Sequence, residues 1–246
     1  MDLVETQNFA SLQHLEPCPA SFFYRNMKKQ NNSFWFRELS DFPTVIVANG
    51  EVPSSELSLS ILNDNKRRIV CCDGALQKLL SINIVPDVVV GDGDSMDAEL
   101  LQKIPYHQDR SEEYNDLQKA LKYCMANGYD NILLLGCGGL REDHFIANLS
   151  IMVMYSEKMR LSMLTEHGVF NVFRGTVTLA SFPRMQVSVF ARNPQAKLTF
   201  TGLKYPVNNR SFNWLWEGSL NEAVGESFAV VAEDEGLGVV YRVLNS

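Results

Sequence analysis

From Thr44 onward, apolar residues come in short unbroken runs that each stop at Gly, Asn or Asp: TVIVANG, RRIVCCDG, PDVVVGDGDS and NILLLGCGG. Runs of this length, rich in Val and Ile and closed by turn formers, predict strands buried on both faces of a parallel sheet. The segments between them carry a helical period instead. Over 112–126, Leu117, Ala120, Leu121 and Cys124 form one apolar stripe, and Asn127-Gly128 supplies the stop. A second helix is predicted from near Glu142, where Ile146, Leu149 and Val153 recur at helical spacing, and a further apolar stretch, RLSMLTE, follows at 160–166. Strands alternating with helices predict a doubly wound α/β domain with a mostly parallel sheet.

After Gly168 the period drops to two, in TVTLA, QVSVFAR, KLTFTG, FAVVAED and LGVVYRV, separated by Pro, Gly and Asn turns. This pattern predicts a small all-β sandwich. With fewer than 80 residues it needs cover from the first domain or from a second subunit. Residues 1–42 hold scattered aromatics around the polar stretch MKKQNNS, without a sustained period. They read as an extension packed on the main body. The expected division is therefore 1–42, an α/β domain at 43–167 and a β-sandwich domain at 168–246.

Composition narrows the function classes. The 22 basic and 29 acidic side chains leave a formal charge of −7, which repels a nucleic-acid backbone. No run of about 18 uncharged apolar residues suggests a membrane span. Asp2, Glu5 and Glu16 stand where a secretory signal would be basic, so a cytoplasmic location is expected. The five cysteines, Cys18, Cys71, Cys72, Cys124 and Cys137, lack zinc-ligand spacing and read as reduced thiols, with Cys71 and Cys72 buried as small hydrophobes.

Ligands of an open parallel sheet bind at the carboxyl ends of its strands, and here those ends carry Asp73, then Asp92 and Asp94 in GDGDS, then Gly136, Gly138 and Gly139. A single Asp at a strand end serves well as a helix cap or an Asx turn. Three on neighbouring ends repel one another unless a cation gathers them, and Mg²⁺ takes few carboxylates plus phosphate oxygens. A haloacid-type DxDx[TV] motif is excluded by Met96, and an EF-hand loop by Asp97 and Lys103. On the 112–126 helix, Asp116 and Lys119 share a face, as a metal ligand beside a phosphate ligand or as a plain surface ion pair. In GCGGLREDH the glycine turn offers backbone N–H groups to phosphate, Arg141 offers a bidentate fork, and Asp143 stands at a helix start where the dipole also favours it.

In order and spacing, CDG, PDVVVGDGDS, QDRSEEYNDLQKAL and GCGGLREDHFIANL resemble the successive motifs of the thiamine pyrophosphokinase family, and GLKYPVN with Ser219-Leu220-Asn221-Glu222 resembles its carboxyl-terminal segment. The resemblance spans roughly residues 44 to 240. It implies an enzyme that moves a pyrophosphoryl group from ATP to thiamine, giving thiamine diphosphate and AMP by Mg²⁺-assisted attack of the thiamine hydroxyl on the β-phosphorus. It further implies that Asp73, Asp92, Asp94 and Asp116 surround Mg²⁺ and the phosphates, with Lys119, Arg141, Asp143 and the Gly139 turn beside them and Asn49 approaching the nucleotide. Gln108, Ser219 and Asn221 would line a thiamine site in the cleft of a homodimer, between one subunit's α/β domain and the other's β domain.

Three features depart from the family pattern. Its compact QD-x-[ST]-D segment is lengthened by Glu112, Glu113 and Tyr114, its GDFDS is GDGDS, and its aromatic near the carboxyl end is replaced in GLGVVYRV, where Tyr241 is the candidate substitute. Two other readings keep the Asp cluster: a pyrophosphokinase for another heterocyclic alcohol such as a pterin, and a non-catalytic sensor of ATP or a thiamine compound.

Overall fold

The structure, a computed structural model, describes residues 32–94 and 103–244. The four apolar runs form β1 (Thr44–Val47), β2 (Arg68–Cys72), β3 (Val88–Gly91) and β5 (Asn131–Leu135), joined by β4 (Tyr106–Gln108) and β6 (Arg160–Leu164). All these neighbours pair in parallel, in the order β6-β5-β1-β2-β3-β4. Helices cover both faces, which is why the strands read as continuous apolar runs. Val45 and Val47 of β1 pack with Trp35 of α1 (32–38), Ile61 of α2 (Glu56–Leu62) and Leu79 of α3 (Leu76–Ser81). Ile46 and Ala48 pack instead with Leu117 and Leu121 of α4 (Asp116–Ala126) and Met152 of α5 (Glu142–Tyr155). Helix α4 starts at Asp116, four residues inside the 112–126 segment, because Asn115 and Gln118 close a capping box on each other's backbone N–H groups.

The carboxyl-terminal strands do not stand apart from this sheet. Strand β7 (Gly168–Arg174) turns back on β6 in antiparallel register, and β14 (Leu237–Val243), β9 (Gln186–Ala191) and β12 (Asn221–Glu222) follow outward. One sheet of ten strands results, with β4 and β12 as its two edges. A second sheet, β11-β10-β13-β8, is built from Val207–Arg210, Leu198–Thr201, Ser227–Ala232 and Thr176–Ala180. It closes an antiparallel sandwich, with Phe200, Phe228 and Val230 meeting Val187, Val189 and Val240 in one apolar layer. Cys71, Cys72, Cys124 and Cys137 are buried thiols. Burial pushes Cys124 and Cys137 up to about 12, so they are inert at neutral pH.

The end of the chain is tied to α1. Arg242 is 1% exposed, and its guanidinium donates to Glu38 Oε2 (3.1 Å), Ala180 O (2.6 Å) and Asn171 Oδ1 (3.0 Å) while lying over the Trp35 ring. Burial pulls the Arg242 pKa down, and Glu38 opposes that pull. Glu38→Ala leaves this buried cation without its counter-charge and is expected to destabilise the fold by about 3 kcal/mol in urea unfolding. A loss under about 1 kcal/mol would mean that the two neutral acceptors suffice.

Candidate active site at the strand ends

Chain direction across the sheet reverses between β1 and β5, the place where open α/β sheets bind ligands. The loops leaving these strands are stitched together there, with Gly50 N–H donating to Gly136 O (2.6 Å) and Glu51 N–H to Gly138 O (2.7 Å). A Cβ on Gly50 would lie 2.3 Å from Gly136 O and 2.4 Å from Gly138 O, so only glycine permits this approach.

Asp73, at the end of β2, is buried; its Oδ1 accepts from Gly74 N–H (2.7 Å) and its Oδ2 from Gly93 N–H (3.2 Å). It crosses the end of β3 at Gly91, where a Cβ would stand 2.2 Å from the Asp73 carboxyl carbon. Asp92 Oδ1 accepts from Asp94 N–H (3.2 Å), and its Oδ2 accepts from Lys119 Nζ (3.1 Å). Asp116, in the first turn of α4, lies 3.6 Å from the same ammonium. Lys119 is 4% exposed whereas its partners Asp92 and Asp116 are 39% and 40% exposed, so the pair is a buried ammonium under part-exposed carboxylates and not the fully exposed surface ion pair that its spacing also allowed. Burial lowers its pKa, but Asp92, Asp116 and Asp109 outweigh that and hold it above the usual lysine value. Asp94 is exposed and meets Asp92 through its backbone.

Two carboxylates thus face one ammonium, and Asp73 feels the charge of both. Burial pushes the Asp73 carboxyl above the usual range, the Gly93 and Gly74 N–H groups oppose this, and the charges of Asp116 and Asp92 add to it. Among the described residues, no three acidic, His or Cys side chains are already closed around a metal position. The donor set is nevertheless all oxygen, excess negative and open toward the cleft, which fits a hard divalent cation shared with phosphate. The raised pKa means that folded Asp73 holds its proton more tightly than the unfolded chain does. Cation-free protein therefore loses stability as pH rises from the ordinary Asp value through the raised one. Added Mg²⁺ is expected to raise the thermal midpoint at pH 7–8, with the gain vanishing as pH falls through that window. A pH-independent gain would place the cation elsewhere.

Beside this cluster opens a cleft of about 420 Å³ lined by Asn49, Asp116, Arg141, His144 and the Cys137-Gly138 backbone. Arg141 and Asp143 are both exposed and pair with each other, Nε donating to Oδ1 at 3.0 Å. Gly139 has φ +84°, and a Cβ there would strike the Glu51 side chain.

Residues 59–163 match the family described as "Thiamin pyrophosphokinase, catalytic domain", and residues 168–241 match "Thiamin pyrophosphokinase, substrate-binding domain". The chain belongs to the thiamin pyrophosphokinase family. Its activity is ATP-dependent pyrophosphorylation of thiamine. The fold is similar to that of thiamine pyrophosphokinase from Bacillus subtilis (TM-score 0.70, 21% identity, 81% of this chain and 98% of that one). Thiamin pyrophosphokinase from Candida albicans (0.67, 17%, 81% and 90%) and the yeast enzyme (0.68, 16%, 81% and 86%) are also similar in fold. No curated protein sequence matches the chain.

Within this pyrophosphokinase, the residues expected around thiamine are far apart. Gln108 ends the edge strand β4 and donates through Nε2 to Asp92 O (3.0 Å), whereas Ser219 and Asn221 flank the opposite edge at β12. Nine strand spacings separate those edges, roughly 40 Å. Asn221 is buried and clamps Tyr205, with Oδ1 accepting from Tyr205 N–H (3.0 Å) and Nδ2 donating to Tyr205 O (2.7 Å). Ser219 Oγ donates to Trp216 O (2.7 Å) and lines, with Tyr205, Trp216 and Asn221, a cavity of about 490 Å³. Tyr241 sits in neither place. It is on β14 inside the sheet, with its ring 4.4 Å from that of Phe170.

Sequence reasoning missed several groups that shape the site. Lys78 Nζ donates to Asn49 Oδ1 (2.7 Å), Asn49 O (3.0 Å) and Gly50 O (2.8 Å), fixing the loop after β1. Asn148 Nδ2 donates to Cys137 O (2.9 Å), and the polar pair His144/Asn148 at i,i+4 in the helix was its available signal. The lengthened 109–115 segment folds onto α4, where the Lys122 ammonium lies 3.6 Å from the Tyr114 ring centroid.

Proposed function

We propose that the pyrophosphoryl group passes by in-line attack of the thiamine hydroxyl on the β-phosphorus of ATP, with AMP leaving, in an active site completed by two copies of this chain. The observation that carries this reading is the convergence of Asp73, Asp92, Asp116 and Lys119 beside the cleft that holds Asn49 and Arg141. Phosphoryl-type transfer asks a protein for positioning and for neutralised charge, and this set offers both. Mg²⁺, held by Asp73, Asp92, Asp94 and Asp116, would supply positive charge to the phosphates. Lys119, kept protonated by its two carboxylate partners, stabilises charge on the transferred group. Arg141 reaches phosphate by exchanging Asp143 for it, a swap between exposed partners that costs little. A cytosolic setting suits the four buried thiols.

Two features support a homodimer. Gln108 and Ser219 can border one thiamine only if they come from different copies, given the width of the sheet. Beside β12, Trp214, Leu215, Trp216 and Leu220 are each 68% or more exposed, an apolar patch of the kind that marks an interface. Subunit mixing tests the arrangement. Asp116→Asn disables the strand-end half and Ser219→Arg blocks the β12 half, so each variant alone is expected to be inactive. Refolded together, they regain about a quarter of wild-type activity, because half the dimers are mixed and each holds one intact site. No recovery from mixed dimers of demonstrated composition would mean that each site is built within one chain.

A further inference from the structure

Two cations beside the phosphate cleft are already matched by carboxylates. Lys119 is shared by Asp92 and Asp116, and Arg141 is paired with Asp143. Lys78, on α3 behind the loop that follows β1, differs. Its ammonium donates to three neutral oxygens, Asn49 Oδ1 (2.7 Å), Asn49 O (3.0 Å) and Gly50 O (2.8 Å), which uses every proton it carries. Among the described residues, no carboxylate pairs with it. Asn49 and Gly50 line the cleft, whereas Lys78 does not, so its grip reaches the cleft through that loop.

The same contact settles which way the Asn49 amide points. A lysine can only donate, so the atom facing it is the carbonyl oxygen and Nδ2 is turned to the other side. There Nδ2 lies against Gly74, next to Asp73, where a Cβ would come within 2.3 Å of it. The amide therefore presents N–H groups between the carboxylate cluster and the cleft, where phosphate oxygens offer only acceptors. An ammonium on Oδ1 also polarises the amide and strengthens Nδ2–H as a donor. An amide free to turn over would show its oxygen to phosphate half the time. We propose that Lys78 is a positioning residue, which holds Asn49 as a dedicated hydrogen-bond donor to the phosphates of ATP and brings the loop a positive charge that no paired carboxylate cancels. This rests on the pyrophosphokinase reading above and adds to it a residue outside the cleft wall.

Steady-state kinetics of full-length variants test this, with urea unfolding to show that each is folded. Lys78→Met keeps the length of the stem and removes the donors and the charge. The KM for ATP should rise about tenfold or more, as expected for a lost charged hydrogen bond, with kcat and the thiamine KM within about twofold of wild type. Lys78→Arg should recover most of the loss. In an Asn49→Ala background, Lys78→Met should add nothing, because the two act as one unit. Asn49→Asp keeps a partner for Lys78 but replaces the donor with an oxygen, and should raise the KM for ATP at least as far as Asn49→Ala does. An unchanged KM for ATP in Lys78→Met, an equal rise in the thiamine KM, a further rise in the Asn49→Ala background, or near-normal kinetics in Asn49→Asp overturns the assignment. The two readings fail separately. A folded wild-type chain that forms no thiamine diphosphate contradicts the pyrophosphokinase assignment, whereas any of these four results in a wild type that does form it contradicts only the role of Lys78.

Discussion

Asp116→Asn is expected to lower kcat by about 10²–10³-fold, the scale on which removing one preorganised charge-stabilising group acts, while the protein stays folded. The substitution keeps the side chain's shape. The cap of α4 belongs to Asn115 and Gln118, so the helix start survives, and the lost interaction with the helix dipole is worth about 0.3–1 kcal/mol. Lys119 keeps its partner in Asp92 at 3.1 Å. What disappears is one of the three carboxylates that gather charge at the strand ends. Steady-state turnover together with urea unfolding separates the two effects, and near-normal turnover would remove Asp116 from the site.

The second large effect comes from a residue that carries no chemistry. Gly91→Ala puts a methyl group 2.2 Å from both the Cγ and the Oδ2 of Asp73, whose side chain is 4% exposed and pinned by two backbone N–H groups. Either the carboxylate leaves its position or β3 shifts. We expect a stability loss of about 1–3 kcal/mol and a fall in turnover of about a hundredfold or more. Gly225→Ala is the matched control, with nothing within 4 Å of its added carbon, and should change neither. Unchanged turnover in Gly91→Ala would show that Asp73 is not needed where it stands.

These predictions also mark what was legible in the chain. Strands β1, β2, β3 and β5 announce themselves because a sheet covered on both faces needs unbroken apolar runs ending in Gly or Asp. The same ends expose Asp73, Asp92 and the glycine loop as candidates, since strand ends are where such sheets bind. The continuity of β6 into β7 was less visible. Both strands lie inside a ten-stranded sheet and carry apolar residues on both faces, so the two-residue alternation that marks a sandwich strand is blurred there. The grip of Lys78 on Asn49 joins two separate strand–helix units, and no local spacing encodes it. The place of Tyr241 depends on the missing Cβ of Gly168, a residue that is adjacent only through the β7–β14 pairing. Asn221 reads as a polar group available to a substrate, yet its amide is spent on the Tyr205 backbone.

The most direct measurement is product identification by chromatography after incubating the purified protein with ATP, Mg²⁺ and thiamine. Equimolar thiamine diphosphate and AMP are the predicted result, because attack at the β-phosphorus transfers both terminal phosphates at once. Thiamine monophosphate with ADP would mean attack at the γ-phosphorus and would contradict the proposed placement of the nucleotide over the Asp73, Asp92 and Asp116 cluster.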